Sequence, residues 1–558
     1  MFPLFRVALV GFACALAGFS QAAPLVEILQ DELNRNFAIL KEKGDPAPYF
    51  IAYTVTETQA EVATASLGVL HSSNRAHRRI LDVSARVGDR TLDNYRQIRG
   101  EQPRFTVGTP IALDDQPDAI RRRVWSETDR TYRLAAQRLI KIKTDTQVKV
   151  EAQDSSDDFS EEDPSVSIEP AAPLRFPMDE WTPRLRKLSA EFLNYSEIIT
   201  SQITLMAQRE TKVLVNTEGT RVQHGRAFYR VVIGARAKAS DGMDLATSES
   251  FEADDPSRLP KDDAIRAAIQ RVAKDLTALL NAPVVDPYVG PAILSGRASG
   301  VFFHEIFGHR IEGHRQKDET DGQTFTKRLN EPVLPEFLSV IFDPTRRQVE
   351  GVDLNGWYKY DDEGVEARRV PVVENGILKT FLMSRSPAAG FNKSNGHGRK
   401  QPGLEVVSRQ SNLIVESTRK VSDTQLRQML IDEVKRQGKP YGLYFEQVTG
   451  GFTTTGRRGF QAFKVIPLVV YRVYSDGRPD ELVRGADIVG TPLASFEKIV
   501  ATSDKLGIFN GYCGAESGNV PVSAVSPAIL VSELEIQKND AAQDRPPLLG
   551  RPPAGGRP

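Results

Sequence analysis

Val301-Phe302-Phe303-His304-Glu305-Ile306-Phe307-Gly308-His309-Arg310-Ile311-Glu312-Gly313-His314 reads as a helix carrying an H-E-x-x-x-H element. Three of the chain's seven histidines fall between positions 304 and 314. Two imidazoles beside a carboxylate supply what a hydrolytic zinc site needs: nitrogen ligands, and a base for the water that the metal activates. His304 and His309 are therefore candidate ligands, and Glu305 is the candidate general base. The spacing is not that of two ligands on one helix face, because five residues at about 100° each leave them about 140° apart. A bulge or kink at or near Gly308 would bring them together: a π-bulge places i and i+5 on one side, and glycine resists distortion least. On an undistorted helix Glu305, His309 and Glu312 align instead, with His314 standing in for His304. That set makes Glu305 a ligand and leaves no evident base. Ordinary core or surface histidines are the reading without a metal.

A catalytic zinc takes a third protein ligand and keeps a position for water. The best source is Gly511-Tyr512-Cys513-Gly514-Ala515-Glu516-Ser517-Gly518-Asn519-Val520-Pro521, where Cys513 lies among glycines that let the backbone approach a metal. The chain has only two cysteines, and Cys14 sits in an N-terminal segment that reads as a cleavable export signal. There Arg6 gives a positive start, Val7 to Phe19 an apolar run too short to span a bilayer, and Ser20-Gln21-Ala22 a small-residue exit. Residues 1–23 are expected to be removed, and the mature chain to be exported, most simply to a periplasm. A lone thiol in an oxidising compartment is a metal ligand, a reactive group, an intermolecular partner or a buried small hydrophobe. Composition leaves ligand and buried structural cysteine equally open for Cys513.

Composition narrows the classes further. A formal net charge of -1 over 558 residues gives no electrostatic case for nucleic acid, and no later run is apolar enough for a membrane helix. The length fits two domains, and the pattern is α+β. Residues 24–285 read as an N-terminal α+β domain with an antiparallel sheet. Val26, Leu29, Leu33, Phe37 and Leu40 recur at helical spacing, Tyr49, Ile51, Tyr53 and Val55 alternate as a strand, and Ile265 to Leu279 returns to a helix. Within it, Glu151 to Pro173 is dense in Asp, Glu, Ser and Pro and is expected to be a disordered acidic loop. Residues 286–537 read as a β-rich C-terminal domain carrying the metal-binding helix. Its clearest local signal is Glu374-Asn375-Gly376 between two apolar runs, a tight hairpin turn. Residues 538–558 are Pro-, Gly- and Ala-rich and read as a disordered tail.

At several separate blocks the sequence resembles the TldD/PmbA family of metallopeptidases, in its TldD-type, metal-bearing branch. The blocks are His304 to Gly313, the acidic turn Asp361-Asp362-Glu363-Gly364 with the hairpin Glu374 to Leu378, and the Gly-Tyr-Cys-Gly segment with Pro521-Val522. The resemblance covers about residues 25 to 535 and is weaker in the first half. It implies a zinc-dependent peptidase with His304, His309 and Cys513 as ligands and Glu305 as base, acting on short or unfolded peptides. It also implies a dimer, either of two copies or with a TldE/PmbA-like subunit that lacks the motif. Export, the acidic segment and the Pro-rich tail depart from the family pattern and leave the substrate class open. The rival reading is a non-catalytic, peptide-binding or scaffold subunit with a structural metal. A thiol-based redox protein is weaker, since no second cysteine lies near Cys513. Ser394 to Arg399 is either a substrate contact or a polar loop built on turn residues.

Overall fold

The computed structural model describes residues 24–98, 101–146, 155–318, 320–456, 463–490 and 492–539. The expected signal (1–23) and all of the expected tail beyond Asn539 lie outside these residues. The chain builds two large sheets, one seven-stranded from its first half and one twelve-stranded from its second.

The first sheet is led by two long strands, Pro48–Ser66 and Val69–Val87, joined by a tight hairpin; Thr200–Asn216, Arg221–Lys238 and Asp244–Ala253 continue it antiparallel. Ile51, Tyr53, Val55, Ala63 and Ala65 are all buried and all odd-numbered, so one face of the sheet is apolar along its length. Helices Leu25–Lys43 and Pro117–Thr146 cover one end of that face, and Met178–Ser189 and Asp262–Asn281 cover the other. The opposite face is polar and meets the second half of the chain. Lys212 pairs with Asp362 at 2.5 Å, Arg226 donates to Asn355 at 2.6 Å, and Arg230 donates to the Asn510 carbonyl at 2.9 Å.

The acidic segment corrects its sequence reading. Its described part, 155–173, buries Asp158, Phe159 and Ser160 and forms a short strand, Val166–Ile168, beside Arg221–Gln223. Phe159 is the cause. Its buried ring lies between the guanidinium groups of Arg86 and Arg385, 3.8 and 3.9 Å from the ring centre. Asp158 accepts from Arg96 at 2.9 Å and from the Asp93 amide at 3.0 Å, and Lys317 approaches it at 3.4 Å. Acidic side chains that composition marks as solvated find fixed cations, and one aromatic ring anchors them.

In the second sheet, strand Gly518–Lys538 pairs with Ala486–Val489 and also with Tyr288–Leu294. Tyr288–Leu294 pairs with Tyr441–Thr453, which pairs with Phe463–Tyr474, which returns to Ala486–Val489. Five strands thus close into a ring. Helix Gly296–Ile306 packs against it, with every residue from Ala298 to Ile306 buried. The Asn375-Gly376 turn forms as expected, at φ of 47° and 80°, and joins Val370–Glu374 to Ile377–Leu378. A long hairpin, Ile499–Ala515 with Gly518–Lys538, carries Cys513 next to its turn. Among the described residues no helix is long and apolar enough to cross a membrane.

Candidate metal centre

Ser295 starts the site helix, its hydroxyl accepting from the Ala298 amide at 3.2 Å. The helix then stops at Ile306, and Gly308–Ile311 form a 3₁₀ turn. No π-bulge forms. The 140° problem is solved by ending the helix, so that His309 projects from the turn. Arg310 makes that ending tolerable: its guanidinium donates to the carbonyls of Glu305 and Ile306, each at 3.0 Å, groups that a helix end leaves without partners. Gly308 is required by contact. A Cβ there would lie 1.9 Å from the side-chain oxygen of Gln410, whose amide nitrogen donates to the His304 carbonyl at 3.2 Å.

The break brings the predicted residues together. The rings of His304 and His309 stand 5.2 Å apart at 79°, and Cys513 Sγ lies 3.3 Å from His309 Nε2. One donor atom from each of His304, His309 and Cys513 lies within 4.8 Å of the others. A tetrahedral zinc places such atoms roughly 3.3–3.7 Å apart, so closing by about one ångström suits the set. All three residues are buried, as is Glu305.

His309 is oriented from behind. Glu312, fully buried, has Oε2 3.4 Å from His309 Nδ1. A carboxylate can only accept, so it fixes a proton on Nδ1 and leaves Nε2 toward Cys513, as a donor while the ring is protonated and as a lone pair once it is neutral. Burial opposes the charge on Glu312, but His309 and Arg315 outweigh it and hold the carboxyl down at about 2. Burial likewise opposes a charge on His309, yet Cys513 and Glu312 raise it to about 10. Burial opposes the Cys513 thiolate as well, and the two imidazoles overcome it, taking the thiol well below its ordinary value. Glu305 is raised by burial, with His304 and His309 limiting the rise. Without a metal these shifts describe a thiolate facing a protonated His309; zinc taking the place of that proton would leave an anionic sulfur and two imidazoles at the cavity wall, a donor set that fits it.

The rival set does not assemble. Glu305 Oε2 is 4.0 Å from His309 Nε2, whereas Glu312 lies on the Nδ1 side of the ring, so one ion cannot take both with His309. His314 is turned toward Glu516 at 3.7 Å.

Two arginines escaped the sequence reading. Arg315 donates to Glu312, Asp321 and Glu516. Arg409, with no exposure, donates to the Cys513 carbonyl at 2.6 Å and to Ser517 Oγ and the Gly518 carbonyl at 2.9 Å, and it approaches Glu312 at 3.4 Å. It braces the hairpin turn beside Cys513. Ser394 to Arg399 lies elsewhere: His397 is fully buried, edge-on to Phe342 and Tyr358, with Nε2 3.0 Å from Ser411 Oγ. The acidic turn Asp361 to Gly364 belongs to the joint between the two sheets, through Lys212.

A cavity of about 410 Å³ opens at the triad, bounded by residues 449–453 of one strand, 512–515 of another and Glu516 in the turn that follows it. Strand Tyr441–Thr453 pairs with Tyr288–Leu294 only as far as Phe445. Beyond it, among the described residues, that edge has no strand partner. Gly451 passes over the candidate base, where a Cβ would lie 2.7 Å from Glu305 Cγ.

Residues 288–538 match the family model of the PmbA/TldA metallopeptidase C-terminal domain. A metalloprotease of Methanocaldococcus jannaschii is 32% identical over 233 residues, which are 41% of this chain and 47% of that protein. A zinc metalloprotease TldD homolog of Saccharolobus solfataricus is 26% identical over 249 residues, 44% of this chain and 51% of that one. The chain thus spans about half the length of these curated relatives. Among solved structures, TldE from Thermococcus kodakarensis superposes with a TM-score of 0.60 at 12% identity, covering 91% of this chain and 99% of that one. The shared fold extends well beyond the region of sequence similarity.

Proposed function

We propose that this chain is a zinc-dependent peptidase of the TldD type, hydrolysing peptide bonds in short or unfolded peptides. The observation that carries the reading is the meeting of His304, His309 and Cys513 beside Glu305 on the wall of one cavity. The metalloprotease names of its relatives support the same class of chemistry. His304, His309 and Cys513 would hold zinc, which when bound polarises the scissile carbonyl and acidifies a water. Glu305 accepts the proton of the attacking water and passes it to the departing amine. Its partly dry surroundings, which raise its affinity for protons, suit both transfers. Residues 447–453 offer main-chain donors and acceptors along the open edge, so an extended peptide pairs there with little demand on its sequence. Dimerisation, with a second copy or a TldE/PmbA-like subunit, and export through the Val7 to Phe19 segment are parts of the same proposal.

The test is metal content and peptide hydrolysis of purified wild type, Cys513→Ala and Glu305→Ala. Cys513→Ala is expected to lose zinc, and Glu305→Ala to keep zinc and lose turnover. Full zinc retention by Cys513→Ala rejects the third ligand, and normal turnover by Glu305→Ala rejects the base. Zinc loss in Glu305→Ala points instead to a closed, four-ligand structural metal and the scaffold reading.

A further inference from the structure

Two large aromatic side chains stand uncovered at the cavity. Phe452 is 54% exposed and Tyr512 43% exposed, and they line it from opposite strands, Tyr441–Thr453 and Ile499–Ala515. Each adjoins a residue committed to the centre. Gly451 lies against Glu305, and Cys513 lies against His309. Successive side chains of a strand point to opposite faces, so Phe452 and Tyr512 are both turned away from the metal-facing side.

A peptide added along the open edge alternates in the same way. Its side chains on one face meet Gly451 and the site helix, where little room is left above Glu305. Those on the other face lie opposite Phe452 at cross-strand distance, roughly 5 Å between Cβ atoms. The charges of the cavity disfavour an acidic side chain there. Glu305 and Glu516 are acidic, and Arg315 is already shared among Glu312, Asp321 and Glu516. An acidic side chain would meet repulsion without a free cation among the described lining residues.

We propose that Phe452 and Tyr512 form an aromatic clamp that selects peptides with a large apolar side chain beside the bond to be cleaved. The clamp rests on the peptidase reading and gives it a substrate class. The probes are one Gly/Ser-rich host peptide carrying a single Phe, Leu, Ala or Glu at the same position. With zinc-loaded wild type, kcat/KM is expected to be about tenfold higher for Phe than for Ala, and lowest for Glu. Phe452→Ala and Tyr512→Ala should each bring the Phe-to-Ala ratio toward one, the loss appearing in KM. A second arm measures binding of the labelled peptides to zinc-loaded Glu305→Gln, where no turnover is needed. About tenfold tighter binding of the Phe peptide, abolished by adding Phe452→Ala, supports the clamp even if no peptide is hydrolysed. Equal binding of Phe, Ala and Glu peptides, or an equal loss for all of them in Phe452→Ala, overturns it. Absence of hydrolysis by wild type, with selective binding intact, would count against the peptidase reading alone.

Discussion

Replacing Arg409 with Met removes a buried cation that hydrogen-bonds to none of the three candidate zinc ligands' donor atoms, yet should weaken metal binding. The guanidinium has no exposure and holds the Cys513 carbonyl at 2.6 Å and the Gly518 carbonyl and Ser517 hydroxyl at 2.9 Å. Charged hydrogen bonds are worth ~1.5–3 kcal/mol each, but bonds from one group are not additive. Removing one partner of a buried charge cluster costs about 3–5 kcal/mol. The lower end applies, because Glu312 keeps Arg315 at 2.9 Å and His309 at 3.4 Å. Part of that cost falls on the hairpin turn that presents Cys513, so zinc affinity should drop by about 10–100-fold, as for other groups that orient ligands. Chelator competition gives the affinity, and unfolding with and without zinc separates it from general destabilisation. Arg409→Lys keeps the charge but loses the fork, and should fall between wild type and Met. A folded Arg409→Met with zinc affinity within about twofold of wild type refutes the bracing role.

Gly308→Ala should destabilise the protein by ~1–3 kcal/mol in denaturant unfolding, because its Cβ falls on the Gln410 amide. Pairing it with Gln410→Ala should recover most of the loss, and strictly additive losses would show the clash to be elsewhere. Phe159→Ala, emptying the space between Arg86 and Arg385, should cost ~3–5 kcal/mol and open the 155–162 segment to limited proteolysis; unchanged stability would make that segment a loose covering. His397 is pushed by burial from 6.5 down to about 3, so the unfolded chain takes the proton first. Its contribution is complete above pH 6.5 and is lost as pH falls from 6.5 toward 3, about 2–3 kcal/mol of it by pH 4.5. His397→Gln should flatten stability between pH 6.5 and 4.5, and an unchanged slope would place the acid sensitivity elsewhere.

The pair His304 and His309 was legible from residue type and spacing, and so was the need for a local distortion at Gly308. The form of that distortion was not, because Gln410, about a hundred residues later, decides where the helix must end. Cys513 stood out as an isolated thiol, but the long hairpin carrying it did not read as strands. Gly507 and Gly511 weaken the β signal there, and both are set by packing: a Cβ at 507 would lie 2.4 Å from the Arg297 amide, and one at 511 would lie 2.6 Å from the Phe509 ring. Arg409-Gln410-Ser411-Asn412 is fully buried although every residue is polar. Nothing local marks such a run as interior, since its partners come from the whole second sheet. The acidic segment failed for the opposite reason: the average over many residues hid the single ring at Phe159.

Cys513 lies 204 residues beyond His309. A ribosome that has released the site helix has made two imidazoles and a carboxylate, but no thiolate to close the set. Until the hairpin is synthesised and docked, the chain carries only a fragment of the candidate metal centre. The order of residues along the chain thus leaves the three-residue cluster incomplete until the last long hairpin has formed.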